Sequence, residues 1–318
     1  MQTKGPTLLL GTRLLVQLQF GDSDEAQYEK VESCACACDS VSEQRLLTSW
    51  RAMGDGDNVS TLESKPLESG HAPVNGINMY YEVHGRKDGV PLVLLHGGGS
   101  TIEVTFSKVL PVFAGGRRVI ALEEQAHGRT TDRNAPVVFE SSANDVAALP
   151  SVPEGRQGGH FRVQQRRERR PAGRHTTPAA RAKDGLCFID NKRASAQAQL
   201  WEFMKQADFS NMPQQLKDAF LLVNPDVQQL KTMHDKDAAR MQSFKDVPDD
   251  AVRSVRAPPL IALGDQDIVK PEHAVELTRL ISDARLLILP GAHGDYLGEA
   301  VLTQKQTRYP ELTAWLIE

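Results

Sequence analysis

From Val74 onward the chain alternates apolar runs with turn signals. Residues 77–83 form a β-rich run between Asn75-Gly76 and the turn at 86–89. Residues 91–95 are continuously apolar and run into His96-Gly97-Gly98-Gly99. Such a run predicts a strand buried on both faces, as in a parallel sheet, with a sharp backbone turn at its carboxyl end. Helical spacing over 104–113, a strand at 118–122, a loop at 125–130 and a helix over 139–149 follow. This rhythm predicts an α/β fold, a mostly parallel sheet flanked by helices, with its working groups at the carboxyl ends of the strands.

After Ser195, amphipathic helix candidates fall at 200–207, 214–222, 227–234 and 237–244. Trp201, Phe203, Met204, Phe220, Met233 and Met241 give them a bulky apolar lining. The plain reading of such residues is core. A helical insert between strands is also what a lid over a site requires, with Trp201 and Met204 as candidate substrate contacts. A strand at 259–263 leads into Gly264-Asp265-Gln266-Asp267, and Pro271 closes that loop. A helix at 272–281, a strand at 285–289 ending in Pro290-Gly291-Ala292-His293, and a closing helix from Glu311 complete the pattern.

Two stretches break it. In residues 1–72, Leu14, Val16, Leu18 and Phe20 alternate like a strand, but acidic and small residues follow, so this part is expected to be a poorly ordered extension. Residues 151–194 carry no buried-strand pattern until Leu186-Cys187-Phe188-Ile189. The expected organisation is therefore an extension (1–72), one half of the core (73–150), an aberrant basic segment (151–194), a helical lid (195–250) and the other half of the core (251–318).

At 318 residues with 40% hydrophobic content and a net charge of −4, the chain has the balance of a soluble globular protein with no overall affinity for nucleic acid or membrane. No apolar run approaches the roughly 20 residues that span a bilayer. Arg13, Gln17 and Gln19 interrupt the nearest thing to a leader, which points to the cytoplasm. Cys34, Cys36 and Cys38 alternate with alanine, a spacing that suits neither a metal site nor a disulfide framework. No metal and no organic cofactor are expected.

Three strand ends thus present a His-Gly-Gly-Gly turn, an acid and a histidine, in that order. Singly each has a bland reading: a flexible turn, a structural carboxylate, a structural imidazole. Together, with the Gly-x-x-Asp-x-x-x-Pro pattern at Gly264–Pro271 and the Pro-Gly-x-His pattern at Pro290–His293, they make the chain resemble the α/β-hydrolase fold family, in particular its small lidded serine esterases and ester- or epoxide-cleaving members. The resemblance covers residues 73–150 and 195–318. It implies His293 as general base and Asp267 as the group that holds its tautomer. It also implies an oxyanion hole built on Gly97 and Gly98, with the Gly98 N–H as donor. Asp265 fits the acid less well, because the family position is the fourth counted from Gly264. The implied activity is hydrolysis of an ester-like bond in a small molecule.

The resemblance also calls for Gly-x-Ser-x-Gly on the strand after the helix ending near Leu149, and the chain has none. Residues 162–174 instead read Arg-Val-Gln-Gln-Arg-Arg-Glu-Arg-Arg-Pro-Ala-Gly-Arg. Each charge would need burial in a central strand, so the segment 155–194 is expected to be irregular. Translation out of frame explains this composition. Read one base later from Val152, codon choices exist that give Ile-Phe-Gly-Phe-Ser-Asn-Gly-Gly followed by an apolar helix. The serine falls across the codons of Gln164 and Gln165, and frame returns between 191 and 195. Cys187 lies in an apolar run, where a thiol is inert, and is discounted as a replacement. Two further readings stand beside the hydrolase. One is a non-catalytic chain of the same fold. The other is an Arg-rich segment that binds nucleic acid, which the scarcity of stacking aromatics argues against.

Overall fold

The structure, a computed structural model, describes residues 13–19, 65–149, 181–188, 191–255 and 258–299. Its centre is an eight-stranded sheet of order β2-β3-β5-β4-β1-β6-β7-β8. The strands are β1 (Arg13–Gln19), β2 (Glu68–Val74), β3 (Ile77–Gly85), β4 (Leu92–Leu95), β5 (Arg118–Leu122), β6 (Arg181–Phe188), β7 (Pro259–Gly264) and β8 (Arg285–Leu289). β4 runs parallel to β5, and β6, β7 and β8 run parallel to one another. β1 is antiparallel to both β4 and β6, so those two neighbours point the same way. The carboxyl ends of β4 through β8 therefore share one edge of the sheet.

Every residue of β4 and β5 is buried, and apart from Arg118 at the start of β5 all are apolar. The helix expected over 104–113 is two helices, α1 (Ile102–Phe106) and α2 (Leu110–Gly116). Pro111 has no N–H to give to a continuing helix, and it sits in the first turn of α2, where none is needed. α3 is Phe139–Ala147.

Between β6 and β7 lie α4 (Ala198–Lys205), α5 (Gln214–Val223), α6 (Val227–Gln242) and α7 (Asp249–Arg253). The two helices expected at 227–234 and 237–244 are one, because nothing between them breaks it; Asp226 caps its start by accepting the Gln228 and Gln229 N–H groups. Met212, Phe220, Leu230 and Met233 pack with Ala126 in a small core of their own, separate from the main one. α8 (Pro271–Leu280) packs on β7 and β8.

Two expectations are corrected. Residues 13–19 and 68–74 are not poorly ordered: they are β1 and β2, and β1 lies in the middle of the sheet. Residues 181–188 are not irregular: they are β6, paired with β1 and β7. β2 adds to the outer edge of the sheet by pairing with β3. β1 and β6 have a different reason: an open slot between β4 and β7 would leave two rows of backbone N–H and C=O groups unpaired in the interior, and these two segments fill it. Antiparallel pairing needs no crossover helix, which lets a segment distant in sequence enter.

Val16 pairs with Val93 on one side and faces Gly185 on the other. Val16→Pro removes an N–H from a strand paired on both sides and leaves a carbonyl of a neighbouring strand without its donor, a cost of about 1–3 kcal/mol. The expected outcome is a clearly lowered thermal midpoint by circular dichroism; an unchanged midpoint would place β1 outside the cooperative core.

Candidate active site

The loops after β7 and β8 are laced together by backbone contacts. A Cβ on Gly264 would stand 2.1 Å from the Gly291 carbonyl oxygen, so only glycine permits this approach. Gln266 N–H donates to the same carbonyl at 3.0 Å, and Gly291 N–H donates to Asp265 Oδ1 at 2.8 Å. Asp265 is thereby engaged in holding the loop.

Asp267, 3% exposed, accepts from His293 Nδ1 at 2.7 Å. Its carboxylate also accepts the N–H groups of Gly264 (3.2 Å) and Val269 (3.3 Å). Burial works to raise the Asp267 pKa, but the His293 contact and the two amides outweigh it and hold the carboxyl below its usual range. An ionised carboxylate only accepts, so Nδ1 of His293 carries the proton, and in the neutral ring Nε2 keeps its lone pair.

His96, which joins β4 to the glycines, is 1% exposed. Its Nδ1–H donates to the Gly97 carbonyl at 2.8 Å, and its Nε2 accepts the Glu124 N–H at 3.1 Å. Burial, with the neighbouring His127 charge adding, pushes its pKa down to about 4, so it is a neutral tie between the ends of β4 and β5. Gly98 is exposed beyond it.

Beside the glycine turn lies a buried charge cluster. Asp237 Oδ2, on α6, accepts the Gly99 N–H at 2.7 Å and lies 2.9 Å from His127 Nε2. Arg240 pairs with Asp237 (2.7 Å) and with Glu124 (3.2 Å), and Glu124 also accepts from Ser142 Oγ at 2.9 Å. His127 Nδ1 faces the Gln125 carbonyl at 3.0 Å and must donate to it, while Nε2 lies between Asp237 Oδ2 and the Gly99 N–H, 3.2 Å away, and the Asp237 carboxylate favours a charged ring. Burial opposes that charge, but the attraction of Asp237 prevails and raises the His127 pKa; the Asp237 carboxyl, where burial is outweighed by Arg240 and His127, is held far below its usual range.

Trp201 is buried, with its Nε1–H given to the Arg193 carbonyl at 2.6 Å, its ring stacked on Phe244 at 5.7 Å and the Arg193 guanidinium over the ring at 4.1 Å. Met204 is half-buried. Cys34, Cys36 and Cys38, the basic stretch at 162–174 and the closing helix from 311 lie outside the described residues. Among the described residues no group of His, Cys, Asp and Glu could hold a metal ion, and no helix is long and apolar enough to cross a membrane.

No family model matches the chain. A non-heme chloroperoxidase of Streptomyces lividans is 31% identical over 87 residues, 27% of this chain, and the match spans 32% of that curated relative's length. Among solved structures, an alpha/beta hydrolase fold protein from Chitinophaga pinensis superposes with a TM-score of 0.50 at 13% identity, over 80% of this chain and 96% of its own. An enol-lactonase from Burkholderia xenovorans gives a TM-score of 0.47 at 18% identity, over 71% of this chain and 93% of its own. The chain has the α/β-hydrolase fold.

On this α/β-hydrolase fold, Gly97 and Gly98 follow β4, Asp267 follows β7 and His293 follows β8, all at one edge of the sheet. The structure joins Asp267 to His293 directly and places the glycines after β4, with β1 and β6 standing between β4 and β7. Sequence reasoning missed Asp237, Arg240, His127 and Glu124. The only local signals were an acid and an arginine three residues apart on one helix, and a His-Gly pair in a loop at a strand end.

Asp267→Asn keeps the side-chain shape but loses the charge-assisted hydrogen bond, a loss of about 1.5–3 kcal/mol. A carboxyl whose folded pKa is depressed contributes stability above its unfolded pKa, about 3.9, and loses it as pH falls through the lower folded value. Urea denaturation is therefore expected to show the full gap between wild type and Asp267→Asn at pH 5–7 and a shrinking gap toward pH 3. A gap independent of pH would contradict an ionised Asp267.

Proposed function

We propose that this chain carries the acid, base and oxyanion turn of a hydrolase for ester-like bonds in small molecules, and that its hydroxyl nucleophile was lost through a shift of reading phase over residues 152–190. The observation that carries this reading is the 2.7 Å hydrogen bond between Asp267 and His293 at the carboxyl edge of the sheet. The α/β-hydrolase fold, the chain order of turn, acid and base, and the polar network around the glycine turn support it.

In the intact reaction, His293 Nε2 would take the proton of a serine hydroxyl as its oxygen attacks the ester carbonyl. The Gly98 N–H would donate to the oxygen on which charge develops, and Asp267 would stabilise the imidazolium. His293 would then return the proton to the leaving alcohol, and water would release the acyl group by the same route in reverse. The helices between β6 and β7 would roof the substrate, with Met204 and Trp201 on that side. In the chain as written the base has no hydroxyl to activate, so the reading makes it a catalytically silent member of its fold.

Turnover of p-nitrophenyl acetate is expected to stay at the buffer rate, and an organophosphonate serine label is expected to leave the protein unmodified. Stoichiometric labelling would show a live nucleophile and overturn the loss. The phase shift has its own test in the coding DNA. The shifted Ser-Asn-Gly requires CAG at Gln164, CAA at Gln165 and CGG at Arg166; other codons there would end it.

A further inference from the structure

We propose that Asp237 is the positioning residue of the glycine turn: its carboxylate, carried on α6, fixes the Gly99 amide and through it the direction of the Gly98 N–H. What that N–H does rests on the hydrolase reading; the clamp itself rests on geometry alone.

Three observations carry it. First, the turn is pressed onto the carboxylate. Asp237 Oδ2 accepts the Gly99 N–H at 2.7 Å, and a Cβ on Gly98 would stand 2.9 Å from the same oxygen. Gly99 has a φ of 70°, so the backbone is held in a conformation that glycine alone adopts freely.

Second, the carboxylate cannot turn away. His127 holds it from the loop after β5 and Arg240 from the next turn of α6. Arg240 is tied in turn to Glu124, which Ser142 of α3 also holds. The neutral His96 ring lies against His127, 4.9 Å between centroids. Two carboxylates thus face one guanidinium and the His127 ring, and all four side chains are buried or nearly so.

Third, α6 itself is fastened to the body of the protein. Lys236 Nζ donates to Asp132 Oδ2 at 2.6 Å and to the carbonyls of Arg133 and Ala135, both at 2.8 Å. Gln229 Nε2 donates to the Thr130 carbonyl at 2.8 Å. Asn224, just before α6, gives its Nδ2–H to the Gly128 carbonyl at 2.7 Å. The helix that carries Asp237 is therefore a fixed wall, and the glycine turn takes its geometry from that wall.

The test uses the full chain labelled with 15N-glycine. In Asp237→Asn, which keeps the volume and loses the charge, the Gly98 and Gly99 amide resonances are expected to move, while that of the hairpin glycine Gly76 stays in place. In Asp237→Ala, added formate is expected to return both resonances toward their wild-type positions in a saturable way, and chloride at equal ionic strength is not. Unmoved Gly98 and Gly99 resonances in Asp237→Asn, or formate no better than chloride, would overturn the proposal. Should Asp237→Ala fail to fold, the Asp237→Asn shifts decide it alone. The low-field Nδ1–H proton of His293, read in the same samples, reports on the hydrolase reading separately. It is expected in wild type and in Asp237→Asn and lost in Asp267→Asn. Its absence from wild type would sink that reading and leave the clamp standing.

Discussion

The Gly291 carbonyl oxygen sits where a methyl group on Gly264 would need to be, 2.1 Å from the position of the missing Cβ. That contact draws together two loops that leave neighbouring parallel strands, and the lacing of Gln266, Asp265 and Gly291 across it sets their relative height. Asp267 and His293 stand on those loops, and their 2.7 Å hydrogen bond is a consequence of the backbone approach rather than its cause. A side chain on Gly264 would separate the loops, and with them Asp267 and His293.

The opposite corner of the same edge is built on a different principle. Around the glycine turn, Asp237, Glu124, Arg240 and His127 are held by charge in a largely buried setting. Such a set is a poor source of stability, since well-packed apolar replacements are often neutral or stabilising by about 1–4 kcal/mol, whereas losing one partner costs about 3–5 kcal/mol. What charge and hydrogen bonds supply here is position: Asp237 lies against Arg240 and His127, and the Gly99 amide donates to it. Apolar packing in the insert, through Phe220, Leu230 and Met233 against Ala126, supplies the area that keeps the helices down.

β4 and β5 were legible because a strand buried on both faces has consecutive apolar residues, whereas β8, at the sheet edge, was legible from its apolar run although only Leu289 in it is buried; the three strand-end signatures were legible because the glycine turn, Asp267 and His293 each follow such a run. The break between α1 and α2 was signalled by Pro111, but the apolar spacing around it runs on without interruption. The continuity of α6 was hidden by Asp235 and Lys236, charged residues that read as a boundary and are instead part of a helix face. The alternation of Leu14, Val16 and Leu18 was visible, yet nothing near it in sequence showed a partner, because that partner is a slot between β4 and β6.

Asp237 marks the limit most clearly: it stands in a run of charged helical residues that looks solvated, and its burial comes from an amide 138 residues away. The sequence by itself determined the fold class and the order of the strand ends, since burial on two faces and turn chemistry are written in adjacent residues; Asp267 and His293 became candidates only through the family resemblance of the loops that carry them. Only the tertiary structure decided which charge meets which amide and which segment completes the sheet. Those are contacts between residues far apart in the chain, and such contacts leave no periodic trace in it.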